Sequence, residues 1–197
     1  HYLLFDYINE PLVMTSNNIP GEPISITETI GTYFLTHERR IVNRCDDSVI
    51  KVIHDAPFFL RRSRGFTPHP VILPIQCKDT VAVGAELNNV ICTTKKDRCF
   101  LSQYIGNTSQ YETYIFLKET TKKFIHLTRL KPQIVACDLH PSYNTTFFAE
   151  ELANTYHARL LKIQHHKAHI ASVAAEHNIT DYVGIAMDGL GYGDDGR

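Results

Sequence analysis

The chain has 197 residues, 43% of them hydrophobic and 21% charged, the proportions of an ordinary globular protein rather than a disordered or fibrous one. Its 20 Lys and Arg are matched by 21 Asp and Glu, so no net field draws it toward nucleic acid or an anionic membrane. No apolar run reaches the roughly 18 residues of a membrane-spanning helix, and no secretory signal is present.

Five cysteines (Cys45, Cys77, Cys92, Cys99, Cys137) are scattered without a C-x-x-C spacing. They read as reduced thiols, core or incidental, of a cytoplasmic protein. The chain opens on HYLLFDY without a methionine and stops inside DGLGYGDDGR. It is therefore expected to be a piece of a longer protein.

In chain order, PLVMTS (residues 11–16) reads as a strand running into the polar loop NNIPGEP, and residues 25–36 as a helix. SVIKVIH and PFFLRR form a predicted hairpin around a tight Asp55-Ala56 turn. GFTPHPVILP (65–74), with prolines at 68, 70 and 74, favours an extended connector between two regions.

After it, VAVGAE, NVICTT and RCFLSQYI read as three strands in hairpin order, with Lys95-Lys96-Asp97 at the second turn. Ser109 is placed to cap a helix running to about Thr128. QIVACD is a buried-looking strand, followed by a helix over about 141–157. RLLKIQ is a strand, followed by a helix over about 166–177, and DYVGIAM is a third strand. Strand and helix alternating at this spacing imply βαβ units and a largely parallel sheet.

In open α/β sheets ligands bind beyond the carboxyl ends of the strands. Three strands here end in polar groups: Asp138 then His140, Gln164 then His165, and Asp188 then a glycine loop. On a helix His165 and His169 lie one turn apart on one face, the spacing at which two imidazoles hold one divalent ion. Surface histidines clustered by chance would give the same QHHKAHIA string. DGLGYGDDG carries the G-x-G-x-x-G spacing through Gly191, Gly193 and Gly196. Its aspartates suit a phosphate only with a cation between them, and a glycine-rich hairpin turn is equally open. RRSRG, with Arg44, Asp46, Asp47 and Ser48 upstream, suits either polyphosphate binding or a solvated linker.

Taken together and in order, PLVMTSNNIPGEP, IVNRCDDSVIKV, FLRRSRGFTPHP, GAELNN, FLSQYIG, ACDLHPSYNTT, QHHKAHIA and DGLGYGDDG resemble the HypF family, the carbamoyltransferases of [NiFe]-hydrogenase maturation. The resemblance covers essentially the whole chain. It implies an α/β chain in two parts: the end of a YrdC-like nucleotide-binding domain over residues 1–70, then the first lobe of a carbamoyltransferase domain over 75–197. That lobe would have an actin-like fold with a mixed sheet. The resemblance also implies ATP-dependent use of carbamoyl phosphate, through carbamoyl-adenylate, to carbamoylate the C-terminal cysteine of a partner, HypE. The isolated piece is expected to be inactive.

By position, the resemblance makes His165, His169 and Asp188 metal ligands; two histidines and one carboxylate would suit iron or zinc, with magnesium in company with ATP. It puts Asp138 and His140 near the transfer chemistry and Gly189, Gly191 and Gly193 beside nucleotide phosphates. Ser16, Asn18, Arg44, Ser48 and Arg64 would line the YrdC-type nucleotide pocket. Four positions depart from the family pattern: Asn17 stands for alanine, Pro20 for serine, Asn88 for lysine and Tyr104 for histidine. Other readings are an O-carbamoyltransferase or threonylcarbamoyl-tRNA-type enzyme, and a non-catalytic nucleotide- or metal-binding module. A metallohydrolase is disfavoured, because no glutamate follows the first histidine as a general base.

Overall fold

The structure, a computed structural model, describes residues 2–28 and 30–196. After a short helix α1 (Tyr2–Phe5), the first regular element is a hairpin of β1 (Val49–Ile53) and β2 (Ala56–Arg61). Its turn falls on His54 and Asp55, one residue earlier than expected. Both residues have positive φ, 49° and 60°, the backbone whose twist matches the strands of a tight hairpin.

The remaining strands form one sheet in the order β4-β3-β5-β6, with β3 at Val71–Ala82, β4 at Cys92–Leu101, β5 at Ile134–Asp138 and β6 at Arg159–Ile163. β3, β5 and β6 are parallel, and β4 is antiparallel to β3. β4 doubles back on itself. A straight strand would separate residues seven apart by about 23 Å, yet the Cys92 and Cys99 sulfurs are 3.1 Å apart, and just beyond the strand Ser102 N donates to Ile91 O at 2.9 Å. The expected hairpin is thus present, with Lys96 in the left-handed region at its tip (φ 57°). β3 wraps around that tip, pairing Val71 with Cys99, Cys77 with Lys96 and Ala82 with Cys92. The expected connector therefore becomes strand from Val71 onward, Pro74 included.

Three helices pack on or flank this sheet: α2 (Tyr111–Leu127), α3 (Asn144–Tyr156) and α4 (His165–Glu176). α2 begins at Tyr111, one residue later than a Ser109 cap would give, with Gln110 at the cap position and no side-chain cap bond. Each helix ends on a left-handed residue, Arg129, His157 or Asn178. In each case the next N–H reaches back five residues, as from Leu130 to Ile125 O, Ala158 to Ala153 O and Ile179 to Ala174 O. That closure satisfies orphan carbonyls and turns the chain sharply. After α2 and α3 it delivers the chain directly into β5 and β6.

Among the described residues the buried hydrophobic core lies in this sheet and its helices alone. Val81, Val83, Ile91, Leu117, Val135, Phe148 and Ala149 are essentially inaccessible. On α2 the buried positions Thr113, Phe116, Leu117, Thr120 and Phe124 follow helical spacing. The region before β3 docks by polar contacts: Lys123 Nζ donates to Val42 O at 2.8 Å and Thr113 Oγ1 to Gly21 O at 3.2 Å. Its own apolar side chains, Tyr2, Val13, Tyr33 and Leu35 among them, are exposed.

Three sequence expectations fail. Residues 11–16 are extended but unpaired, with Val13 98% exposed; a strand needs a ladder neighbour, and none lies beside it among the described residues. Residues 25–36, of which Thr29 lies outside the described residues, form bends rather than a helix. Ser25 Oγ bonds to Thr27 O, and Thr27 N donates back to Ser25 Oγ, a local turn that competes with helical bonding. DYVGIAM forms no strand either: Val183, Ile185 and Met187 face solvent, and Gly184 lies against Ile170 of α4, where a Cβ would come within 2.3 Å.

Candidate metal centre

The parallel pairing of β5 with β6 sets Asp138 opposite Ile163. Two residues past Ile163 the chain enters α4, so His165 arrives beside Asp138. Gln164 caps the helix, its side-chain oxygen accepting from Lys167 N at 2.8 Å, which fixes the first turn and the direction of both histidines.

Asp138, only 7% exposed, divides its two oxygens. Oδ1 accepts from His140 N at 2.8 Å, and Oδ2 lies 2.6 Å from His165 Nδ1. A proton on Nδ1 bonded to this carboxylate leaves Nε2 with its lone pair free. His165 Nε2 lies 3.1 Å from His169 Nε2 and 2.9 Å from Asp188 Oδ2, and His169 Nε2 lies 3.4 Å from that same oxygen. Two imidazole nitrogens and one carboxylate oxygen therefore converge on one point. They are the one such group of three metal-ligating side chains among the described residues.

Asp188 is suited to serve as the charged member. Desolvation pushes its carboxyl up, but the Gly189 N–H bonded to Oδ1 and the imidazoles of His165 and His169, when protonated, outweigh this and hold it below its ordinary value. The donor set, two neutral nitrogens and one anionic oxygen with an open side, fits a divalent iron or zinc ion. Asp138 has the place of the outer carboxylate that orients a metal-binding histidine.

The glycine loop passes over the first turn of α4. Gly191 lies so close to His166 that a Cβ would sit 2.6 Å from its Nε2, and Lys167 pairs with Asp194. His140 is set apart from the three ligands. It stacks on Tyr143 at 3.8 Å between ring centroids and meets Tyr192 edge-on at 5.3 Å. The tyrosines escaped the sequence reading, although both sit inside the ACDLHPSYNTT and DGLGYGDDG strings. A cavity of about 450 Å³, lined by Gly84, Asn88, Asp138, His165, His169 and Ser172 among others, opens beside the centre. Asn88 and Tyr104, two of the departures from the family pattern, touch each other: Tyr104 Oη donates to Asn88 Oδ1 at 3.0 Å.

The other predicted residues fall into two clusters. Ser16 Oγ donates to Asn18 Oδ1 at 2.8 Å, and Asn18 Nδ2 donates to the Ile19 and Glu22 carbonyls. Ser48 Oγ donates to Arg64 O and accepts from Ser63 N, while Arg64 reaches Asp47 at 3.1 Å and Cys45 O at 2.9 Å. Arg44 lies over the Phe116 ring.

Residues 76–176 match the family described as HypF Kae1-like domain, and residues 1–63 match the family described as Telomere recombination, of the Sua5, YciO and YrdC proteins. The chain belongs to the HypF carbamoyltransferase family. It is 46% identical to a probable carbamoyltransferase HypF of Methanocaldococcus jannaschii, over all of this chain and 27% of that protein. It is 39% identical to carbamoyltransferase HypF of Rhizobium leguminosarum bv. viciae, again over all of this chain and 27% of the relative.

Two crystal structures of the family superpose with TM-scores of 0.91. One is full-length HypF in a phosphate- and nucleotide-bound form, 38% identical, covering 100% of this chain and 32% of that one. The other is HypF of T. kodakarensis, 44% identical, covering 99% and 27%. The fold is thus that of the family, a YrdC-like part followed by an α/β lobe with a mixed sheet. The chain spans little more than a quarter of its relatives' length. Among the described residues no helix is long and apolar enough to cross a membrane.

Proposed function

We propose that this chain contributes to an ATP-dependent, cytoplasmic carbamoyl transfer in which carbamate from carbamoyl phosphate is adenylated and then passed to the C-terminal cysteine of HypE, toward the cyanide ligands of a [NiFe] hydrogenase. Residues 1–70 form the closing part of the YrdC-like domain, and residues 75–197 the first lobe of the transferase domain. The observation that carries this reading is the convergence of His165 Nε2, His169 Nε2 and Asp188 Oδ2 beside a cavity at the carboxyl ends of β5 and β6.

Adenylation joins carbamate to the α-phosphorus of ATP and expels pyrophosphate. In the first region Arg44, Ser48 and Arg64, with Ser16 and Asn18, bind the nucleotide through guanidinium, hydroxyl and amide groups. In the second step the acceptor thiolate attacks the carbamoyl carbon, the bond to AMP breaks, and the thiol proton passes to solvent. A divalent ion, when bound, would supply Lewis acidity at the carbonyl and neutralise phosphate charge. His165 and His169 would hold it from α4 and Asp188 would add the anionic oxygen, while Asp138 keeps the His165 proton on Nδ1. Gly189, Gly191 and Gly193 let the backbone of their loop come close to phosphate. His140, held by Tyr143 and Tyr192, faces the transfer chemistry. The isolated chain is expected to bind without turning over.

The test begins with the metal content of the purified chain after dialysis, with and without ATP, beside a His165→Ala/His169→Ala double variant. About one ion per chain, lost in the variant, is the expected result. The full-length protein should then release pyrophosphate from ATP only when carbamoyl phosphate is present. Release that ignores carbamoyl phosphate, or a full-length double variant that transfers carbamoyl normally, refutes the proposal.

A further inference from the structure

The doubling of β4 brings two thiols together away from the metal centre. Cys92 comes from the first arm of the hairpin and Cys99 from the second, their sulfurs 3.1 Å apart in a thiol–thiol hydrogen bond. Both are free and half-buried. They do not join a third ligating side chain, since the one triple among the described residues is His165, His169 and Asp188. The pair therefore has the geometry for sulfur–sulfur chemistry rather than for metal binding.

We propose that Cys92 and Cys99 are a modification site, forming a reversible intramolecular disulfide by exchange with a small-molecule disulfide such as glutathione disulfide. The Cys99 thiolate attacks one sulfur of the oxidant, a mixed disulfide forms, and glutathione thiolate leaves. Cys92 then loses its proton to solvent and attacks the Cys99 sulfur, which expels the second glutathione. Two protein thiols are oxidised and one glutathione disulfide is reduced to two glutathiones.

The order follows from the surroundings. The hydrogen bond the two thiols share lowers the pKa of Cys99, burial works against this, and the Arg62 guanidinium lowers it further, whereas Cys92 is raised by the same hydrogen bond and by burial. A thiol nearer its thiolate form is the better first attacker at neutral pH. Cys77, whose backbone pairs with Lys96 at the hairpin tip, lies near enough to act on both thiols but is not hydrogen-bonded to either, while Cys45 contacts Ser63 Oγ and Cys137 is buried on β5. The new bond would tie the arms of a hairpin that leads into Tyr104 and its contact with Asn88.

The test equilibrates the intact chain in glutathione buffers from reducing to oxidising, traps free thiols with N-ethylmaleimide, and maps tryptic peptides by mass. Cleavage after Lys78, Lys95, Arg98 and Lys118 separates the three candidate cysteines. Peptides 79–95 and 99–118 should become linked with loss of two hydrogens, and maleimide-reactive thiols should fall by two from the five present. Dithiothreitol should restore them, and a Cys77→Ser variant should behave identically. Linkage of 99–118 to 65–78, glutathione retained on Cys99, or full alkylation at every ratio would overturn the proposal.

Discussion

The Asp138 carboxylate holds Nδ1 of His165 at 2.6 Å while its other oxygen is committed to the backbone N–H of His140. This division decides which His165 nitrogen faces the cavity with a lone pair. An asparagine keeps the size of the side chain and the bond to His140, but it turns an NH₂ toward His165 Nδ1. The imidazole proton then moves to Nε2, the nitrogen that faces His169 and Asp188.

Asp138→Asn should therefore lower divalent-metal affinity about 10- to 100-fold, the usual range for loss of an outer carboxylate, with the fold intact. Titration of zinc into apo-protein, beside circular dichroism, measures both. Unchanged affinity would mean that the carboxylate does not set the tautomer.

Gly189 and Gly191 offer a paired control of the loop. A methyl at Gly189 meets nothing within 4 Å, whereas at Gly191 it would collide with His166 Nε2 and Cε1 at 2.6 and 2.8 Å. Leu190, between them, is 90% exposed, so the loop is free to move away instead of straining the core. Gly191→Ala should leave the thermal midpoint near that of the parent but carry Asp188 off its place and weaken metal retention. Gly189→Ala should do neither. Equal effects of the two changes would remove His166 packing as the reason for a glycine.

The main chain of the second region was legible because its signals are local and agree with one another. Helical spacing on α2 and the short apolar runs that end in Asp138 and Ile163 between helical segments all point the same way. His165 and His169 were legible for the same reason, because i, i+4 spacing on a helix is fixed geometry. Two of the three failures share a cause as well. Residues 11–16 and 181–187 have strand-like composition, but a strand exists only with a partner, and Val13, Val183 and Met187 are left facing water. The orienting role of Asp138 and the contact of Asn88 with Tyr104 depend on neighbours 27 and 16 residues away. Neither has a signature in sequence spacing. The Cys92–Cys99 approach was hidden likewise, since it follows from how tightly the hairpin closes.

Phe148 on α3 is the largest of the fully buried side chains, packed edge-on to Tyr114 of α2. Lys118 also lies over its ring and reaches Glu151 at 2.7 Å. Phe148→Ala removes the aromatic contact between the two helices and leaves a void that close-packed neighbours fill only partly. The expected cost is about 3–5 kcal/mol, read from urea unfolding followed by circular dichroism. Lys118→Met retains most of the stem packing and removes an exposed pair, so its cost should be about 1 kcal/mol or less. A larger loss for Lys118→Met than for Phe148→Ala would reverse the ranking of burial over surface charge here.

Cys137 gives a test by pH. It sits on β5 beneath α3, and burial, only partly offset by Lys162, pushes its thiol up to about 11. In the unfolded chain a cysteine titrates near ~8.5, so the folded state holds the proton more tightly. A group with a raised folded pKa contributes stability that is fully present below the unfolded value and lost as pH rises through the folded one. Native Cys137 should therefore resist iodoacetamide at pH 8, where exposed thiols react. The unfolding free energy should decline from about pH 8.5 toward 11, and less steeply in a Cys137→Ala variant once corrected for its lower starting stability. Peptide mapping of the alkylated native chain checks the first expectation and urea titrations across the alkaline range the second. Ready labelling of Cys137 at pH 8 would show that α3 and β5 open often enough to expose it, and the pH argument would then fail with the burial it rests on.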